Sequence, residues 1–288
     1  MVADILPEEK RQEGFSILRV VANISWIIGP TIGGFVASIN FFYLFVIDSI
    51  ISCLVAFIIF RTLPETKPEA HEQAESESLL QTVGGYRHVL RDAAFMAFML
   101  ATILMMIIYQ QMYTTLSVYL RDNHNINPKG YGLLMTTSAI TVVLFQFWVS
   151  RLIKIRPPFL MMALGTLFYM IGFTLFGVFT AYVLFALNIV IITIGEMILV
   201  PTSQTLAANF APEDLRGRYI AVFGLAWAIP ATIGPGAAGY IIDNFNPNLL
   251  WYLGGLLCAV SALAYYILHL RLSTRHQFAS AKKESQPA

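Results

Sequence analysis

Residues 3–34 read ADILPEEKRQEGFSILRVVANISWIIGPTIGG, and residues 208–239 read ANFAPEDLRGRYIAVFGLAWAIPATIGPGAAG. The two stretches align without a gap at an offset of 205 positions. Pro7 falls on Pro212, Glu8 on Glu213, Arg11 on Arg216, Ile28 on Ile233, Gly29 on Gly234, Pro30 on Pro235 and Gly34 on Gly239. In each copy a charged loop leads into a long apolar segment interrupted by Gly-Pro. A same-direction repeat of charged loop plus apolar helix, separated by roughly half of a larger bundle, is the imprint of a membrane protein built from two parallel halves.

Composition agrees. Hydrophobic residues make up 57% of the chain and charged residues only 12%, about half the charge a soluble domain carries. A bilayer-spanning helix needs about 20 mostly apolar residues. Eight runs qualify, at roughly 15–38, 41–61, 94–120, 131–152, 158–179, 181–206, 219–242 and 249–270. Runs such as FMAFMLATILMMIIY have no polar face to turn toward water. The fold class is therefore an all-α integral membrane protein, a helical bundle of about eight transmembrane helices.

The placement of charge orients the bundle. Of 18 Lys and Arg residues, 15 fall on alternate connections that must share one side: Lys10, Arg11, Arg61, Lys67, Arg87, Arg91, Arg151, Lys154, Arg156, Arg216, Arg218, Arg271, Arg275, Lys282 and Lys283. Arg121 and Lys129 fall on the other side, and Arg19 lies inside a helix. The positive-inside rule puts both termini in the cytoplasm of a multi-pass plasma (inner) membrane protein. Cys53 and Cys258 both sit in apolar runs, where packing rather than a disulfide is expected.

One connection is long. The acidic stretch LPETKPEAHEQAESES has no apolar period and reads as flexible. After it, Leu79, Leu80, Val83, Tyr86 and Leu90 recur at helical spacing, which suits a short amphipathic helix on the membrane surface, although Gly84 and Gly85 weaken it. The chain thus divides into residues 1–62 (the last two helices of a first half), 63–93 (a cytoplasmic central loop), 94–271 (a six-helix second half) and 272–288 (a disordered tail). With six helices per half, the offset of the repeat assigns helices five to twelve of twelve to this chain, and helices one to four are expected to be absent.

The pattern RxxxNxxxxxGPxxGG, at Arg19, Asn23, Gly29, Pro30, Gly33 and Gly34, resembles the antiporter motif in the fifth helix of major facilitator superfamily drug:proton antiporters. The loop LPEEKR resembles the connection that precedes that helix, and RGRYIAVFGLAWAIPATIGPGAAGYIID, with its repeat of Gly234, Pro235 and Gly239, resembles the eleventh helix. In layout the resemblance covers essentially the whole chain. The loop SRLIKIRPP keeps basic residues Arg151, Lys154 and Arg156 but lacks the Gly and Asp of the family's corresponding loop. The resemblance implies a secondary active transporter working by alternating access, a cavity lined by the seventh and tenth helices, and protons and a small-molecule substrate as partners.

Several residues could carry such chemistry. Glu196, in ITIGEMILV near the middle of its span, is a carboxyl in hydrocarbon, which normally faces a cavity or a partner. It suits a reversible proton carrier, or a hydrogen-bonded carboxyl that locks two helices. Asn188 and Ser203, eight residues before and seven after it, are read as sharing its face. In YQQMYTTLS, Gln110, Tyr113, Thr114 and Ser117 form one stripe flanked by Tyr109 and Gln111, suited either to binding amphipathic molecules or to interhelical hydrogen bonds. Asp48 lies about two turns into its span, where a structural role is favoured over proton coupling. Arg19 either snorkels to headgroups or pairs with an acidic residue. Gly29, Pro30, Gly33 and Gly34 permit a kink and close helix contact. Gln146 reads most simply as packing.

No phosphate-binding loop supports ATP-driven work, no His/Cys cluster suggests a metal, and no cofactor or nucleic-acid partner is expected. The expected function is proton-coupled export of amphipathic organic compounds or drugs. Uptake of a small metabolite on the same fold, or a truncated protein without transport activity, are the alternatives. The oligomeric state stays open, with a monomer favoured.

Overall fold

The computed structural model describes residues 6–62, 79–212 and 215–284, without the side chains at 26–35, 79–84, 273–284 and a few other positions. Ten helices occur among the described residues: α1 Glu8–Ile39, α2 Phe41–Thr62, α3 Leu79–Arg91, α4 Ala93–Thr114, α5 Leu116–His124, α6 Pro128–Lys154, α7 Pro158–Phe176, α8 Tyr182–Phe210, α9 Arg216–Asn244 and α10 Asn248–Glu284. Seven of them, α2, α4 and α6 to α10, are long and apolar enough to cross a membrane. The eighth expected span is the 32-residue backbone helix α1. It opens at Glu8, well before the expected start at residue 15, because the charged first turns continue the helix of the apolar run.

Local chemistry sets the helix ends. Asp92 caps α4, its Oδ1 accepting from the amides of Ala94 and Phe95 at 3.1 Å each, and Tyr219 of α9 donates to its other oxygen at 3.0 Å. Asn127 caps α6 by accepting from the Gly130 amide at 2.9 Å, with Pro128 in the first helical turn. Asn125 closes α5 in the left-handed region, φ 55°, a conformation Asn tolerates.

Two expectations are corrected. The run 94–120 is not one helix but two, because Thr115 interrupts it between α4 and α5. There Thr114 donates to the Gln110 backbone carbonyl at 3.1 Å, a back-bond of the kind that bends helices, while the Thr115 hydroxyl donates to the Gln111 side chain at 2.7 Å. The tail after residue 272, expected to be disordered, is helical as far as Glu284. Its Ala, Lys, Arg and Glu residues favour helix, and no Gly or Pro interrupts between Gly255 and Pro287. The acidic stretch that was read as flexible lies outside the described residues.

The second half packs as a bundle in which α7 and α10 lie side by side, α8 packs on α7, and α4 packs on α9 and α10. Two aromatic clusters fill it. At the end carrying the basic loops, hereafter the basic end, Phe98 stacks on Phe210 and Phe223 while Phe95 meets Tyr219 edge-on. Toward the opposite end Trp251, Phe173, Phe176 and Phe185 pack together, and buried Tyr119 donates to Asn248 at 2.7 Å. The interface of α7 with α8 is glycine on glycine. A Cβ at Gly195 would lie 2.7 Å from the Gly165 carbonyl oxygen, so the backbones touch. Gly195→Val is therefore expected to force α7 from α8 at a cost of about 2 kcal/mol, read as a lower thermal midpoint of the detergent-purified chain.

Helix α1 packs along α6 and α8, and α2 packs chiefly against α1. The α2 window is 0% buried, and Cys53, expected to pack inside, is exposed on it. Helix α3 forms as the spacing suggested, against α4 and α9. Its Gly85 lies under the Arg218 guanidinium, where any Cβ would overlap it.

Candidate functional site: a cavity around a buried ion pair

A cavity of about 1090 Å³ lies between α1 and the second half. Its walls are Phe15, Leu18, Arg19, Ala22 and Asn23 of α1, Tyr109, Gln110 and Tyr113 of α4, Tyr131, Met135, Thr136 and Ser138 among others of α6, Glu196, Val200 and Gln204 of α8, and Trp227 of α9. Apolar and aromatic side chains make up most of the lining, and Arg19, Asn23, Gln110, Thr136, Ser138, Glu196 and Gln204 add polar groups, a mixture suited to a small-molecule site.

At its centre Glu196, 4% exposed, meets two donors. Arg19 Nη2 lies 2.7 Å from Glu196 Oε1, and the Tyr109 hydroxyl donates to the same oxygen. Tyr109 in turn is 3.1 Å from the Tyr113 hydroxyl and sets its ring edge-on to Trp227. A carboxylate and a guanidinium held together out of water satisfy each other's charge, where either alone would be costly. The pair joins α1 to α8 across the cavity.

Arg19 is held from behind. Its Nε donates to Gln146 Oε1 at 3.1 Å. Gln146 is fully buried, and its amide donates to the Met197 carbonyl at 3.0 Å and to Ser150 Oγ at 3.1 Å. Ser150 donates to Ser16 Oγ at 2.7 Å, and Ser16 donates to the Gln12 carbonyl of its own helix at 2.7 Å. A polar seam thus runs from the ion pair toward the basic end and knits α1 to α6 and α8. Above it, Thr193 of α8 donates to Ser138 of α6 at 2.9 Å. Gln146→Leu is expected to strip the Arg19 guanidinium and the Met197 carbonyl of a buried partner each, destabilising the chain by about 1–3 kcal/mol, measurable as a lower thermal midpoint.

The cavity contains Glu196, Arg19, Gln110, Tyr109 and Tyr113 of the residues singled out from sequence. Of the two alternatives for Arg19, the geometry is that of pairing: its side chain, 9% exposed, is turned onto Glu196 at 2.7 Å. Asn188, Ser203, Thr114, Ser117, Gln111 and Asp48 lie elsewhere. Asn188 is fully buried and donates to the Gly172 carbonyl of α7 at 2.7 Å. Eight residues are 2.2 turns, which rotates it by about 80° from Glu196 toward α7; Val200 and Gln204, on the C-terminal side of Glu196, are rotated the opposite way and take the cavity face instead. Ser203 turns its hydroxyl back to the Val200 carbonyl at 3.0 Å. Thr114 is exposed at the end of α4, and Ser117 lies beyond the break in α5, neither lining the cavity.

Asp48 is exposed on α2 and has no hydrogen bond or ion pair among the described residues, because α2 is the outermost helix. Gly29, Pro30, Gly33 and Gly34 lie in the α1 backbone helix, and the packing around them lies outside the described residues. In α9, Pro230 and Pro235 sit inside the helix, and Gly234 packs against α4, a Cβ there meeting the Gln111 amide. Among the described residues, no other part of the chain comes within 4 Å of a Cβ at Gly239. Sequence reading assigned Gln146 to packing and passed over Tyr131, Gln204 and Trp227. A polar or amphipathic residue inside an apolar span was the available signal for all four, and it does not say which face the residue occupies.

Comparison with known proteins agrees with this architecture. The chain is 25% identical over 257 residues to a Na(+), Li(+), K(+)/H(+) antiporter of Planococcus maritimus, covering 82% of this chain and 61% of that one. It is 21% identical over 254 residues to the quinolone resistance protein NorA of Staphylococcus aureus, covering 84% of this chain and 61% of that one. It therefore spans 61% of the length of each of these relatives. Among solved structures, a bacterial homologue of the iron transporter ferroportin, in an outward-facing state, superposes with a TM-score of 0.72 at 16% identity, over 92% of this chain and 66% of that one. The profile of the Major Facilitator Superfamily matches residues 1–235 and, in a second overlapping match, residues 113–288. With a repeated loop-plus-helix motif, an all-helical membrane bundle and a profile match that spans its length, this chain belongs to the Major Facilitator Superfamily.

Proposed function

We propose that this chain is the cavity-bearing part of a proton-coupled exporter of amphipathic organic cations, working by alternating access. The observation that carries the reading is the Glu196 carboxylate, shared by Arg19 and Tyr109 inside an aromatic cavity. A lipophilic cation entering between Tyr113, Tyr131 and Trp227 gains ring contacts and can take the carboxylate from Arg19, which keeps its bond to Gln146. A proton on Glu196 cancels the charge the cation needs. Proton and cation then compete for one group, the thermodynamic core of exchange, since each ligand lowers the affinity for the other. Both states also alter the α1–α8 tie, so occupancy and helix packing are linked. The names of the antiporter and quinolone-resistance relatives support the same direction. The charge pattern supports an orientation with the basic end and both termini in the cytoplasm.

The alternative, uptake of an anionic metabolite with a proton, has one observation in its favour. Protonating Glu196 would free the Arg19 guanidinium to face the cavity. The two readings differ in sign. In weakly buffered detergent solution, at a pH low enough for Glu196 to be protonated, tetraphenylphosphonium binding to the purified chain is expected to release protons, up to one per cation, and to weaken as pH falls further. Anion-coupled uptake would instead show proton capture with carboxylate ligands and no release with the cation.

A further inference from the structure

A second cavity, of about 330 Å³, opens at the basic end where α1, α6, α7 and α8 meet. Its lining includes Gln12, Lys154, Arg156, Thr202, Thr205 and Asn209 and, among the described residues, no acidic one. Beside it Arg11 of α1 donates to Asn209 Oδ1 at 2.9 Å, bringing a third cation to the rim. The N-terminus of α7 also faces it through Pro158. The residue before that helix is Pro157, which offers no side-chain cap, so the positive end of the helix adds to the field. Thr202, only 3% exposed, has a buried hydroxyl with no hydrogen-bond partner among the described residues. A buried hydroxyl without a partner is rare, and it sits against a cavity whose fixed charges all have one sign.

We propose that this cavity is a binding site for a phosphate group, separate from the central cavity. Two cationic side chains, a helix N-terminus, the Gln12 amide and the unpartnered Thr202 hydroxyl supply donors, with no competing anion among the described residues; the Thr205 hydroxyl already donates to the Pro201 carbonyl at 2.8 Å. Basic pockets between transmembrane helices take anionic lipid headgroups in this way. The volume exceeds what a bare phosphate fills, and the site lies at the level of the basic loops, where headgroups are found. A ligand here touches α1 and the α6–α7 connection at once.

Native mass spectrometry of the purified chain, given equal amounts of phosphatidylglycerol and phosphatidylcholine in neutral detergent, tests this. Phosphatidylglycerol is expected to be retained preferentially. Replacing both cations, Lys154→Gln with Arg156→Gln, is expected to weaken that retention about thirtyfold, each charge near the surface contributing about a factor of five. Thr205→Leu, which narrows the cavity at constant charge, is expected to weaken it as well. Arg151→Gln serves as the control, since that guanidinium lies 4.3 Å over the Phe147 ring and does not line the cavity. Inorganic phosphate separates the sources. If it displaces the lipid and protects the chain from unfolding by itself, the site takes free phosphate; if it does neither while phosphatidylglycerol stays bound, the site takes a headgroup. Equal retention of the two lipids, or a loss in Arg151→Gln as large as in the double variant, overturns the proposal.

Discussion

Glu196→Gln is expected to abolish proton release on cation binding and to reduce pH-gradient-driven cation movement in vesicles by at least about two orders of magnitude. The substitution keeps the shape and the ability to accept from Arg19 and Tyr109 but removes the only charge that proton and cation share in the proposed scheme. Cation affinity is expected to fall, because an amide offers a cation less than a carboxylate, and to lose its dependence on pH. Two readouts keep the outcomes apart. If the variant still releases protons, the titrating group is not Glu196. If release is lost but gradient-driven movement persists, the carboxyl serves binding and not coupling. A purely structural Glu196, locking α8 to α1, would show a lower thermal midpoint in the variant with proton release unchanged.

Arg19→Leu is the second large effect. Removing one partner of a buried pair leaves the other charge uncompensated, at a cost of about 3 kcal/mol, the low end for such pairs because this one lines a cavity. It also leaves Gln146 Oε1 without its donor. Replacing both partners, Arg19→Leu with Glu196→Leu, is expected to recover most of that stability while transport stays lost, since buried pairs exchange for apolar side chains at little net cost. Thermal unfolding of the wild type, the two single variants and the double variant closes the cycle. Additive losses would mean that the contact stores little coupling energy.

What sequence could state here depended on whether the constraint was local. Each apolar run had to be a helix because nothing in hydrocarbon can satisfy a backbone except itself, so α4 and α6 to α10 follow from composition alone. Even there the break at Thr115 escaped, because the Thr114 hydroxyl returning to the Gln110 carbonyl alters a helix without altering its hydropathy. Glu196 was legible as a candidate because a carboxyl in an apolar span is anomalous wherever it points. Asp48 looked equally anomalous and lies outside the cavity, because what separates the two is the position of their helices in the bundle.

Sequence by itself determined the membrane bundle, the repeated loop-plus-helix device, the family and one central carboxyl, since each rests on a pattern within one segment. Tertiary structure alone decided the rest. Arg19 meets Gln146 across 127 positions of chain, Tyr109 meets Glu196 across 87, and Ser16 meets Ser150 across 134. Asn188 was lost from the cavity by a rotation that residue counting had not resolved. Which side chains converge on Glu196 is fixed by how α1, α4, α6 and α8 are rotated and stacked, and hydrophobic periodicity leaves that undetermined in helices that are apolar on every side.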